Sequence, residues 1–398
     1  MSKGKPADPA KWGEATRLVR GGLDRSHHGE TAEALYLNSG FVYDDGETAE
    51  ARFSGEQEGY VYARYGNPTV TMFEERLRLL EGAEACYATA SGMAAVWGAL
   101  ACQVEAGDHI VASKALFGSC YQVLTSILPK FGVTSTLVDG NDLNAWKAAI
   151  RPETRAFFLE TPSNPGLQVF DIAAVADIAR KKDICVVVDN IFATPIIQKT
   201  LPLGADVIVY SGTKHMDGQG RVLGGAVVST AKFKEEKLKP FLRHTGPSLS
   251  PFNAWVLLKG METLKLRVMA QCDSALQIAT VLEGMGGVER VTYPWLDSHP
   301  QAALCRSQMM AGGTMVTFEL NGGKPAAFDM LRKLEIIDIS NNLGDAKSLI
   351  THPATTTHRN IGQDGRDAMG ITDGMLRLSV GLEDVADLAD DLTQALKR

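Results

Sequence analysis

Between about residues 82 and 230 short β-rich runs alternate with stretches whose apolar positions recur at helical spacing. The runs are ACYAT, DHIVAS, TSTLVD, TRAFFLE, ICVVVD and ADVIVYS, with amphipathic segments between most of them. Ile184 to Val188 is almost wholly apolar, as a strand covered on both faces must be; a strand with one wet face alternates. The pattern predicts an α/β fold, a mainly parallel central sheet with helices on both faces. Ligands in such sheets sit beyond the C-terminal ends of the strands, so candidate chemistry is sought there.

After Pro251 the period becomes helical as far as about Gly284, with Trp255, Leu258, Met261, Leu264 and Val268 on one stripe. A smaller α+β unit follows, with strands TMVTFEL and MLRLSVGL, the helix AAFDMLRKLEI, and a last amphipathic helix from Val385 to Leu396. The first 60 or so residues are polar and turn-rich, with little core of their own, and are expected to lie across another surface of an assembly. These shifts divide the chain into an arm over 1–65, an α/β domain over 66–255 and a C-terminal α+β domain over 256–398. No internal repeat or low-complexity tract interrupts them.

Composition narrows the function classes. Apolar residues make up 45% and charged residues 22% of the 398, values of an ordinary folded protein rather than a disordered or fibrous one. A net charge of -7 leaves no basic footprint for a phosphate backbone, which argues against a nucleic-acid partner. No apolar run approaches the roughly 18 residues of a bilayer span, and the N-terminus carries no signal-like stretch, so a cytoplasmic location with no membrane partner is expected. The six cysteines form no CxxC pair; Cys86, Cys102 and Cys185 lie in apolar segments, as structural thiols do. The histidines show no HExxH, although His27-His28 and the pair His352 and His358 stand out, and no metal site is expected.

The most informative segment is VIVYSGTKHMDGQGRVLGG, where a strand runs into Ser211, Thr213 and Lys214 and then glycines. A lone lysine there is ordinarily a surface residue. Two hydroxyls beside it supply phosphate ligands while its amine can reach an aldehyde, the arrangement of a Schiff-base lysine in a pyridoxal phosphate (PLP) site. In VVVDN, Asp189 ends a buried strand, where an unpaired carboxylate is costly. A protonated pyridine nitrogen is one candidate cation for it; a helix cap or turn is the alternative. In ATASGMAAVWGAL a strand turns through Ser91-Gly92 into a helix whose first N–H groups can hold a phosphate, or which is simply N-capped. Arg377 lies in an otherwise apolar strand, suited to a carboxylate by its planar fork, or to a structural ion pair. No GxGxxG follows the first strand, which removes a dinucleotide-binding reading.

Together, YARYGNPT, ASGMAA, ETPSNP, VVVDN, SGTKH and LRLSVGLED resemble, in order and along nearly all the chain, the Cys/Met-metabolism PLP-dependent enzymes of fold type I. The resemblance implies that Lys214 carries the PLP aldehyde and that Asp189 holds the ring nitrogen. It implies that Gly92, Met93, Ser211 and Thr213 bind the phosphate, completed from a neighbouring subunit by Tyr62 and Arg64. It puts Asn164 near the 3-oxygen and Arg377 on the substrate carboxylate, with Tyr62 and Asn342 also at the substrate. Phe117 stands where most members carry a ring-stacking tyrosine, so stacking is kept and the hydroxyl is lost. Ser119 stands where the methionine γ-lyases have a cysteine, and NNLGDAKSL (Asn341 to Leu349) resembles the family's sulfhydrylases rather than its lyases. The implied activity is γ-replacement in methionine biosynthesis, O-succinylhomoserine and sulfide giving homocysteine and succinate, in a homotetramer built as a dimer of dimers. Cysteine as nucleophile, or γ-elimination, are the rival outcomes.

Overall fold

A computed structural model describes residues 8–397. The larger sheet contains β1 (Ala85–Thr89), β2 (His109–Ser113), β3 (Thr134–Val138), β4 (Thr154–Glu160), β5 (Cys185–Asp189), β6 (Val207–Ser211) and β7 (Gly225–Ser229), in the order β1-β7-β6-β5-β4-β2-β3. Strands β2 to β6 pair in parallel, and β7 runs antiparallel between β6 and β1. The C-terminal ends of β1, β4, β5 and β6 and the first residue of β7 therefore share one edge. The pairing fixes neighbours there: Glu160 lies opposite Asp189, and Gly225 lies between Thr89 and Ser211.

Period-two alternation of apolar side chains drives the two-sided burial. In β6, Ile208 and Tyr210 enter a core built with Phe73, Leu77, Leu257 and Met261, while Val207 and Val209 enter the opposite core with Ala95, Ala99 and Leu100. Each fully buried aliphatic side chain contributes about 1.5–3 kcal/mol. The helices have local signals of their own. Helix Pro68–Glu81 starts at Asn67, whose side chain accepts from Thr69 N–H at 2.9 Å, and stops at Gly82 with φ 69°.

The smaller sheet contains β8 (Val288–Thr292), β9 (Met315–Leu320), β10 (Asp338–Ile339), β11 (Leu349–Thr351) and β12 (Met375–Ser379), in the order β10-β11-β12-β9-β8. The helical stretch expected from Pro251 to Gly284 is two helices, Pro251–Glu262 and Leu264–Glu283. Thr263, with φ -107° and ψ 5°, ends the first, and its carbonyl accepts Arg267 N–H at 3.0 Å to begin the second. The second helix joins the cores, burying Leu264 and Val268 in one and Ile278 and Leu282 in the other. Asp391 of helix Val385–Leu396 accepts the N–H groups of Glu335, Ile336 and Ile337 at 2.8–3.0 Å.

The N-terminal segment divides in two, and residues 1–7 of the expected arm lie outside the described part. Up to about Tyr36 the segment is held on its own chain. Leu18 is buried, and Glu33 forms a buried ion pair with Arg76, a second pair with Lys259 at 2.8 Å, and a backbone bond from Trp255 Nε1 at 3.0 Å. Beyond it Leu37, Val42 and Phe53 are exposed.

Arg76 is fully buried, so Glu33→Ala leaves its guanidinium with two backbone carbonyls and, as carboxylate, the more distant Glu262 at 4.0 Å. It is expected to cost about 3–5 kcal/mol, read as a lower thermal midpoint and faster amide exchange over residues 21–36; unchanged exchange there would show that the ion pair does not anchor the segment.

Candidate functional site

A cavity of about 290 Å³ opens at the shared strand edge and brings together Gly92, Met93, Phe117, Ser119, Glu160, Asn164, Asp189, Ser211, Thr213, Lys214, Asn341 and Arg377. Each owes its place to a backbone feature. Asp189 is the last residue of β5, Ser211 the last of β6, and Lys214 follows in the turn. Gly92 opens helix Gly92–Ala101, where a Cβ would lie 2.6 Å from the Ser211 Cβ, so only glycine lets the two loops meet. Ser91 Oγ accepts from Ala94 N–H at 3.2 Å, and the N–H groups of Gly92 and Met93 find no acceptor among the described residues.

The charges are unusual in what they lack. Asp189 is 2% exposed, and among the described residues its carboxylate accepts one hydrogen bond, from Ile191 N–H at 3.1 Å. Burial pushes its carboxyl up, to about 7. Glu160 beside it accepts from Phe117 N–H at 2.6 Å, and burial and then the Asp189 charge raise it well above the carboxylate range. Two adjoining buried carboxylates do not both ionise without a cation. Arg377 is 1% exposed and meets only amide oxygens: Asn164 Oδ1 at 3.0 Å, Asn341 O at 2.9 Å and Asn342 O at 3.3 Å. Its Nε has no partner, and burial lowers its pKa to about 10. The structural ion pair that the sequence left open for Arg377 is not formed among the described residues. Lys214 Nζ donates to Asn342 Oδ1 at 2.6 Å, and burial, then the Arg377 charge, bring its pKa down to about 8.

These residues fit PLP. Free N–H groups on Gly92 and Met93, with the Ser211 and Thr213 hydroxyls, suit a phosphate; a buried carboxylate short of a cation suits a protonated ring nitrogen; Lys214 suits an aldehyde. Phe117 offers a ring at the wall. Tyr62 and Arg64 are the exception, since they do not line this cavity. Tyr62 is 42% exposed, and the Arg64 guanidinium lies 5.4 Å from the Tyr62 ring centre, beside a second cavity.

Several site features escaped sequence reasoning. Glu160 obeys the same strand-end rule as Asp189 and was readable by it. Thr357 lines the cavity, and His358, which in the sequence stood out only beside His352, lies fully buried next to it, its Nδ1 2.8 Å from Thr357 Oγ1 and its pKa lowered to about 4 by burial. Both come from a loop with no periodic signal. Among the described residues no His/Cys/Asp/Glu group could hold a metal, all six cysteines are free, and no helix is long and apolar enough to cross a membrane.

Residues 15–397 match the family model described as Cys/Met metabolism PLP-dependent enzyme. The chain is 56% identical over 387 residues to an O-succinylhomoserine sulfhydrylase of Mycobacterium tuberculosis, covering 96% of this chain and 95% of that one. It is 42% identical over 394 residues to an L-methionine gamma-lyase of Porphyromonas gingivalis, covering 98% and 99%. Its fold matches, with a TM-score of 0.94 and 30% identity over 97% of this chain and 100% of the other, a Campylobacter jejuni protein described as an O-acetylhomoserine (thiol)-lyase. That crystal structure carries N'-pyridoxyl-lysine-5'-monophosphate.

The lowered pKa of Lys214 has a readout independent of turnover. Only the neutral amine is acylated, so in the cofactor-free protein Lys214 labelling by a small acylating reagent is expected to rise with a midpoint near pH 8, about two units below exposed lysines. Peptide mass spectrometry measures this; a midpoint equal to that of surface lysines contradicts it.

Proposed function

The chain belongs to the Cys/Met metabolism PLP-dependent enzyme family and depends on pyridoxal phosphate, and from that membership we propose that it catalyses γ-replacement, converting O-succinylhomoserine and sulfide to homocysteine and succinate. The observation that carries the reading is the convergence of Lys214, Asp189 and an Arg377 with only amide-oxygen partners in one cavity. The choice of donor rests on the 56% identical sulfhydrylase. The active unit is a homotetramer, a dimer of dimers, in the cytoplasm. The chain divides into an arm over 1–65, a cofactor-binding domain over 66–255 and a C-terminal domain over 256–398. The extents of the two sheets support that division.

Pyridoxal phosphate supplies an aldehyde for the substrate amine and a ring that stores the electron pair left at Cα. Gly92, Met93, Ser211 and Thr213 would hold its phosphate, Tyr62 and Arg64 of a second copy would complete that site, and Phe117 and Asn164 would help to seat the ring. Ionised Asp189 would keep a ring nitrogen protonated. Arg377 turns its fork to the substrate α-carboxylate, a bidentate and desolvated pairing. Asn164, Asn342 and Tyr62 complete that substrate subsite. Lys214 Nζ would take the Cα proton, give it up to the electron sink that the cofactor supplies, and as a neutral amine again take a Cβ proton; succinate would then leave from Cγ, sulfide add there, and the protons return to Cβ and Cα. A lysine brought to about 8 serves as a base near neutral pH where one at its ordinary value would not. Phe117 has no hydroxyl, so this position relays no proton.

Lys214→Ala is expected to abolish turnover. Asp189→Asn is expected to slow kcat by about 10² to 10³, or roughly 3–4 kcal/mol, with the fold kept by circular dichroism; an unchanged kcat would make Asp189 merely structural. The nucleophile is tested with O-succinylhomoserine as donor. Sulfide is small and needs no second carboxylate subsite, so its kcat/KM is expected to exceed that of cysteine at least about tenfold, or about 1.4 kcal/mol. Equal or reversed values with cystathionine accumulating favour a cystathionine γ-synthase.

A further inference from the structure

The Lys214 cavity contains two cationic side chains, Lys214 and Arg377. One works at the reacting carbons and the other at the α-carboxylate. The proposed donor carries a second carboxylate, at the far end of its succinyl group, and the cavity offers it no cation. At about 290 Å³ it is also at the small end of ligand pockets, about 300–1,000 Å³, so substrate and cofactor together need more wall than one chain provides here.

The cationic wall lies elsewhere. A second cavity, of about 310 Å³, is lined by Arg52, Arg64, Lys234, Lys239 and Arg243 against one carboxylate, Glu74. Glu74 is already engaged by Ala88 N–H at 2.7 Å, and burial raises its pKa. Lys239 is paired with Glu235 at 2.5 Å. Arg64 and Arg243 have no carboxylate within 4.0 Å among the described residues, although both lie over one ring, 4.8 and 4.1 Å from the Tyr65 centroid. Arg64 also donates to the Arg243 carbonyl, and Arg243 Nε is buried without a partner. Two guanidiniums on one ring repel each other, and stacking on the ring face offsets that repulsion only in part. An oxyanion between them reverses the balance, because each fork can then make charge-assisted hydrogen bonds.

We propose that Arg243 is a specificity residue that binds the distal carboxylate of the O-succinyl group in the site of a second copy of this chain, beside the Arg64 that meets the phosphate. This rests on the reading above, in which Tyr62 and Arg64 complete a neighbouring site. An acetyl ester presents no charge at this position and gains nothing from Arg243.

The test uses full-length, cofactor-loaded enzyme and the variants Arg243→Gln and Arg243→Met. It compares kcat/KM for succinyl and acetyl esters with sulfide, and measures succinate and acetate binding by calorimetry and cofactor affinity by titration. The wild type is expected to favour the succinyl ester. Either variant that folds should lower the succinyl-to-acetyl ratio at least about tenfold and weaken succinate binding by a similar factor. An unchanged ratio and succinate affinity overturn the proposal. So does a fall in cofactor affinity with the ratio kept, which assigns Arg243 to the phosphate. A wild type that prefers the acetyl ester defeats the donor reading itself, whatever the variants do.

Discussion

Burial of charge without compensation is the constraint on which the site depends. Parallel pairing of β4 and β5 sets Glu160 against Asp189 at the covered edge of the sheet, and among the described residues the hydrogen bonds their carboxylates accept come from the backbone. Across the same cavity Arg377 is surrounded by neutral oxygens. A raised carboxyl means that the folded chain keeps a proton the unfolded chain has already released. Its contribution to stability is therefore present below the ordinary carboxylate range and is lost as pH rises through the folded value, near 7 for Asp189. At working pH the folded chain carries the cost of a buried anion until a cation meets it. The cavity is in this sense built for a ligand with a positive ring nitrogen and for a substrate with a carboxylate.

The remainder of the fold keeps those charges in place. Side chains from both faces of β5 and β6 fill three cores, so the strand ends cannot drift without opening one of them. Behind the edge, Asn190 donates to the Tyr210 hydroxyl at 2.7 Å and Tyr210 donates to Glu81, tying the strand ends to helix Pro68–Glu81. The small sheet has a different task. Arg377 is the third residue of β12, and pairing with β9 and β11 fixes its height over the cavity.

Much of this was legible in the sequence because period-two runs and strand-end chemistry are local signals. The strands β1 to β6, the last helix and the residues Lys214, Asp189 and Arg377 were all readable. What was not readable depended on distant pairing. Strand β7 is a short run opening with glycine, and its identity as a strand comes from lying between β1 and β6. Strands β8, β10 and β11 are short or half-exposed, and their pattern is too brief to show a period. The coupling of Glu160 to Asp189 follows from register across two strands, which no spacing in the chain reveals. The break at Thr263 was hidden because the apolar stripe continues through it.

The central claim is that Asp189 is held for a cation supplied by the ring nitrogen of the cofactor. It is tested by comparing the rise in thermal midpoint produced by pyridoxal phosphate with that produced by its carbocyclic analogue lacking the ring nitrogen, in the wild type and in Asp189→Asn. Phosphate and aldehyde are common to both ligands, so the difference isolates the nitrogen. The account predicts a larger rise with pyridoxal phosphate in the wild type and no difference between the ligands in Asp189→Asn. Equal stabilisation of the wild type by the two ligands would contradict it.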